Sequence, residues 1–116
     1  MSQQIQIDSE GFLYFEKHPS EVINRSVDFR NHPRGSLLAT GVNLTTPLSV
    51  TVIDPAAPSL TVTNVTNDND AVYFTLSAGL LAESEYILEI SVTTTDTNPQ
   101  TIIRHIKVKM SEYIKE

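Results

Sequence analysis

The stretch Leu80-Leu81-Ala82-Glu83-Ser84-Glu85-Tyr86-Ile87-Leu88-Glu89-Ile90-Ser91-Val92 decides the fold. Tyr86, Leu88, Ile90 and Val92 recur at every second position, the period of a strand with one buried face. The segment before them holds a leucine six residues ahead of the tyrosine that opens the strand. That spacing is the mark of a tyrosine corner, in which the ring packs under a turn and its hydroxyl bonds back to the backbone. A buried tyrosine needs such a partner for its hydroxyl. Leu80 and Tyr86 are therefore read as structural residues of a β-sandwich, with an ordinary strand aromatic as the simpler alternative.

The same alternation spreads outward in both directions. Toward the C-terminus, a loop at Asp96-Thr97-Asn98-Pro99 leads to Ile102, Ile106, Val108 and Met110, with Arg104 off the pattern. Toward the N-terminus come Val72, Phe74 and Leu76, then Leu60 and Val62, then Leu48, Val50 and Val52. The last of these strands should stop at Asp54-Pro55, because proline cannot continue a ladder. Asn67-Asp68-Asn69-Asp70 supplies the residues a tight hairpin turn needs. Ile23, Val27 and Phe29 share a face that Arg25 interrupts, and Phe12-Leu13-Tyr14-Phe15 is a compact apolar run. The best helical candidate is short, Ser20 to Asn24, and lacks a sustained helical period. About seven short strands with regular turn signals predict an all-β, immunoglobulin-like or fibronectin type III-like sandwich. With no helical crossovers, a parallel sheet is not expected.

The length of 116 residues suits one domain. We divide it into residues 1–14 as an N-terminal arm or first strand, 15–110 as the sandwich, and 111–116 as a C-terminal tail. With no cysteine, disulfides and thiolate chemistry are excluded. The absence suits assembly in a cytoplasm. Fourteen acidic residues against eight basic give a net charge of −6, and the basic residues are scattered. Nucleic acid is therefore not an expected partner. No apolar run approaches the roughly 20 residues of a membrane helix, so no membrane partner is expected. The first ten residues lack the pattern of a secretory signal.

The order of motifs resembles one protein family. Phe15-Glu16-Lys17-His18-Pro19-Ser20-Glu21-Val22 is similar to a Phe-x-Lys-Asp-Pro signature, and Ser26-Val27-Asp28-Phe29 stands where that family has an Asp-Trp strand. Gly35-Ser36-Leu37-Leu38-Ala39-Thr40 resembles its next strand. Leu76-Ser77-Ala78-Gly79, Tyr86, Ser91-Val92-Thr93-Thr94 and Arg104-His105-Ile106-Lys107-Val108 resemble its second half. The family is the immunoglobulin-like virion proteins of tailed bacteriophages, of fiber–tail adaptor or head-fiber type. The likeness runs from about Phe15 to Met110. His18 replaces the usual Asp and Phe29 the usual Trp, both compatible with structural roles. The resemblance implies a virion component at the capsid surface, the neck, or the base of a fiber.

The residues offer no chemistry to set against that. His18, His32 and His105 stand alone, without the close set of ligands that zinc requires. Asn67 to Asp70 could offer oxygens to calcium, but it lacks the glycine and distal glutamate of an EF-hand loop. A solvated turn is the default there. Asn24-Arg25-Ser26, Asn43-Leu44-Thr45 and Asn64-Val65-Thr66 match the glycosylation pattern, as a Thr-rich chain does by chance. Four glycines spread singly form no phosphate loop, and Glu83 and Glu85 read as a solvated pair. No catalytic, cofactor-binding or metal-binding residue is assigned.

The leading expectation is a non-enzymatic virion structural protein, assembled in the host cytoplasm. It would join capsid, neck, tail or fiber components as one of several symmetric copies, by apolar burial and strand addition. Its candidate contact residues are Ile5, Ile7, Tyr14 and Tyr113. Gln3-Gln4-Ile5-Gln6-Ile7-Asp8 alternates well enough to pair with a neighbouring subunit, or with the domain's own sheet. The alternative is a carbohydrate- or cell-surface-binding module. With no tryptophan and only 7% aromatics, the chain has few rings to stack on sugars.

Overall fold

The computed structural model describes residues 6–33, 35–56 and 58–114. The strands are β1 (Gln6–Ile7), β2 (Leu13–Lys17), β3 (Ile23–Asp28), β4 (Leu44–Asp54), β5 (Leu60–Asn67), β6 (Ala71–Ala78), β7 (Glu85–Thr94) and β8 (Thr101–Met110). A 3-10 turn, Leu81–Glu83, precedes β7. The strands form two packed sheets, in the orders β1-β2-β8-β7-β4 and β3-β6-β5. The molecule measures 45 × 28 × 25 Å. Ten-residue strands rise about 33 Å, so β7 and β8 run along the long axis.

The core lies between the sheets, where the period of two puts alternate side chains. Tyr86, Leu88, Ile90 and Val92 of β7 face Val72, Phe74 and Leu76 of β6, and all are buried. The ring of Phe15 on β2 meets that of Phe74 edge-on across the gap, with centroids 6.4 Å apart. Arg25, opposite Phe74 in the β3–β6 ladder, sits on the inward row of β3. Its guanidinium carbon lies 5.8 Å from the Phe15 ring centroid, so it covers the core edge with a flat, weakly hydrated cation.

One expectation is corrected and two readings are refined. The segment Gly35–Thr40 is not a strand. Gly35 donates to His32, Val42 to Ala39, and Gly35 and Gly41 take positive φ, so the backbone turns repeatedly while Leu38 anchors it in the core. Ser20 to Asn24 is a turn running into β3, since Ile23 and Asn24 pair with Leu76 and Thr75. Among the described strands the larger sheet is antiparallel except for one parallel pair, β2 with β8. That pair needs no helical crossover, because the whole sandwich serves as the connection between the first and last long strands.

Each end of the sandwich is stitched by hydrogen bonds. At one end, Arg30 donates to Asp70 Oδ1 at 2.6 Å and to Asn43 Oδ1 at 2.9 Å, tying the β3–β4 loop to the β5–β6 turn. At the other, the Lys17 side chain is completely buried. Its ammonium donates to the carbonyls of Ala78 at 2.6 Å and His18 at 3.0 Å. Burial pushes that ammonium below the ordinary lysine value, and the charge of Glu21 partly offsets this. Backbone bonds Ser111 to Lys17 and Met110 to Ser84 close the same end.

Candidate interface surfaces

The candidate contact residues fall in different settings. Ile5 lies outside the described residues. Ile7 is 56% exposed on β1, which pairs antiparallel with β2 through Gln6 opposite Tyr14 and Ile7 opposite Leu13. Tyr14 is half-buried, donates its hydroxyl to Gln6 Oε1 at 3.0 Å, and carries Lys109 Nζ 4.3 Å from its ring centroid. Tyr113 is 78% exposed beyond β8. Leu80 donates its backbone N–H to the Tyr86 hydroxyl at 2.9 Å, and that hydroxyl donates to Glu83 Oε1 at 2.6 Å.

Sequence reasoning missed the strongest charge cluster. The turn between β1 and β2 is built on Asp8, whose Oδ1 accepts the N–H groups of Glu10 and Phe12. Its Oδ2 meets Lys107 Nζ at 3.2 Å and Lys109 Nζ at 3.4 Å. Lys107 also bonds Glu10 at 2.7 Å and lies 4.5 Å from the Phe12 ring centroid. Burial alone would raise the Asp8 carboxyl. The two backbone donors and two ammonium groups outweigh it and hold the carboxyl at about 2. The bond to Glu10 is the main reason Lys107 is raised above the ordinary lysine value. These residues are local to no motif, and only the parallel β2–β8 pairing brings them together.

The outer face of the smaller sheet carries an open groove of about 660 Å³, lined in part by Asn24, Ser26, Thr66, Tyr73 and Thr75. Its polar groups largely serve one another. Thr75 donates to Asn24 Oδ1 at 2.7 Å, Asn64 donates to Thr75, and Tyr73 donates to Asp68 Oδ2 at 2.6 Å. Two of the three residues matching the glycosylation pattern, Asn24 and Asn64, are held in this way. The third, Asn43, accepts from Arg30. At the Asn67–Asp70 turn, Asp68 caps the N–H groups of Asp70 and Ala71, and Asp70 pairs with Arg30. Among the described residues, no three His, Asp or Glu side chains are arranged to hold a metal ion.

Two further surfaces stand out. On one side of the sandwich both sheets end in β4 and β5. Asp54 is the only charged residue between Leu44 and Asn67. At the Lys17 end, large apolar side chains face solvent: Val22 at 71%, Leu80 at 51%, Leu81 at 44%, and Tyr113.

Residues 17–109 match the model of one protein family, Gp77, described as "Podophage GP4 fiber-tail adaptor protein gp77". No curated protein and no solved structure matches the chain.

Proposed function

This chain belongs to the podophage fiber–tail adaptor family, non-enzymatic structural proteins of the virion tail that link fibers to the tail, and from that premise we propose that it works as one of several copies joined side by side by strand addition. The fiber–tail junction, rather than the capsid surface or the neck, is then its station.

One observation carries the side-by-side joint: both sheets end on the same side in strands almost devoid of charge. An edge strand offers a row of unpaired N–H and C=O groups, and soluble proteins usually guard such edges with lysines or other charges. β4 has eleven residues and a register shift near Pro47, and its stretch from Leu48 to Ile53 carries no charge at all. On a chain of net charge −6, this is the side where a second copy meets the least repulsion. Ile7 on β1 and Tyr113 beyond β8 are additional contact positions. We also read the sandwich as immunoglobulin-like. The orders β3-β6-β5 and β8-β7-β4 are those of the two sheets of that fold, and Tyr86 occupies its corner.

Sedimentation equilibrium of the purified chain tests the joint. Self-association should appear as concentration rises and weaken in Ser49→Lys, whose exposed side chain faces the neutral Ser91 within the sheet. Mixing Ser49→Lys with Ser49→Glu should restore it, since opposite charges replace like ones. A chain that stays monomeric throughout, or one whose association ignores position 49, would overturn the strand-addition joint.

A further inference from the structure

We infer that the Lys17 end of the sandwich is a docking face for a surface of the tail with an apolar centre and a lysine- or arginine-rich rim. The inference rests on membership of the adaptor family but not on the joint between copies.

The apolar centre is the first support. Val22, Leu80, Leu81 and Tyr113 come from three separated parts of the chain, which the stitching of this end brings together. The β2–β3 turn meets Ala78 through Lys17, and the chain after Met110 is bonded to Lys17 and Ser84. Each of the four exposes 44% or more of its surface. Scattered exposed apolar residues need no explanation, whereas a cluster with a polar rim marks an interaction site. The mount is firm. Ser59 donates to Glu83, Glu83 accepts from Tyr86, and Tyr86 is fully buried. A rigid platform loses little freedom on binding.

The charge of the rim chooses the partner. Among the described residues, this end carries Glu21, Asp54, Glu83, Glu85 and Glu112. The lysines described there are already committed. Lys17 is buried on two carbonyls, and Lys109 is paired with Asp8 and Glu85. Asp54 and Glu112 are both exposed. An acidic rim around an apolar centre fits a basic rim around an apolar centre, and it opposes a second copy of this end by like charge. The same charge complementarity speeds encounter and selects the partner, while the apolar contacts hold it.

The probe is a preparation of tails made in an infection that lacks this chain, mixed with purified chain and sedimented. Three proteins are compared: wild type, Asp54→Lys/Glu112→Lys, and Val22→Ser/Leu81→Ser, each checked for wild-type melting. Wild type should cosediment, with affinity falling about tenfold or more between roughly 0.05 and 0.5 M NaCl. The charge-reversed protein should bind about tenfold more weakly at low salt and lose most of the salt dependence, and the serine variant should bind more weakly at every salt concentration. Wild-type binding by the charge-reversed protein, or binding that ignores salt, overturns the basic-rim partner. Wild-type binding by the serine variant overturns the apolar centre. Ser49→Lys serves as the control, since loss of tail binding in that variant alone would implicate the joint between copies and not this face.

Discussion

Asp8 and Lys107 lie 99 positions apart in the chain and meet at 3.2 Å on the outer face of the larger sheet. The contact fastens the β1–β2 turn to β8, so that one carboxylate both shapes the turn and anchors it. Its Oδ1 collects backbone donors while its Oδ2 faces two ammonium groups. The side chains of Asp8 and Lys107 are 4% and 6% exposed, so salt screens this pair less than it would a surface bridge.

This arrangement gives acid sensitivity a definite origin. The Asp8 carboxyl sits at about 2 in the folded chain against an ordinary 3.8. A carboxyl depressed on folding stabilises the folded state fully above its unfolded value, and the contribution disappears as pH falls through the folded one. Thermal melts of wild type and Asp8→Asn should therefore differ at neutral pH, with wild type the more stable. The gap should close between about pH 4 and pH 2. A gap that persists unchanged at the acid limit would show that the charge of Asp8 contributes nothing to the fastening.

The hydroxyl of Tyr86 can be removed with little change in shape. Phenylalanine fills the same buried volume but leaves the Leu80 N–H without its partner and takes from Glu83 one of its two donors, the Ser59 N–H remaining. An unsatisfied buried group costs about 1–3 kcal/mol. Tyr86→Phe should fall in that range in urea unfolding, with an unchanged denaturant slope. Leu80→Ala should cost much less, since Leu80 contributes its backbone and its side chain is 51% exposed. Equal losses from the two substitutions would mean that side-chain packing, and not the hydroxyl, holds the turn.

The strands with a strict period of two were legible because burial enforces alternation. Val72, Phe74 and Leu76, and Tyr86 through Val92, are buried as the pattern requires. Where burial does not dictate the pattern, the reading slips. β4 begins at Leu44, four residues before the first alternating residue, because Pro47 hides the pattern while Leu44 and Thr45 still pair with Thr94 and Thr93. Gly35–Thr40 holds adjacent leucines that suggest a strand, yet positive φ at Gly35 and Gly41 makes it a looped segment. Arg25 looked like a break in an apolar face, yet it occupies that face against the Phe15 ring, and Lys17, which no period marked as inward, lies buried on two carbonyls. The surfaces are less legible still. That Val22 shares an end of the sandwich with Leu80 and Leu81 depends on hydrogen bonds between distant segments, such as Lys17 to Ala78. No local spacing encodes those bonds.

Gly79 is the point where this end tolerates least change. Its φ of +98° lies in a region side-chain-bearing residues rarely adopt. A Cβ there would come within 2.9 Å of Met110 Cε and 3.3 Å of Met110 Sδ. Gly79→Ala therefore faces two separable penalties, backbone strain of about 1–3 kcal/mol and a clash with a flexible side chain. Met110→Ala in the same chain removes the clash and leaves the strain, at the cost of a cavity. In a double-mutant cycle by urea unfolding, the pair should lose less stability than the sum of the singles, because the clash exists only when both groups are present. Strict additivity would mean that Met110 swings aside freely and that backbone strain alone excludes alanine. In either case Gly79→Ala should loosen the turn that presents Leu80 and Leu81, so tail binding should fall at temperatures well below the global melt. Unchanged tail binding at those temperatures would separate the docking face from the geometry of this turn.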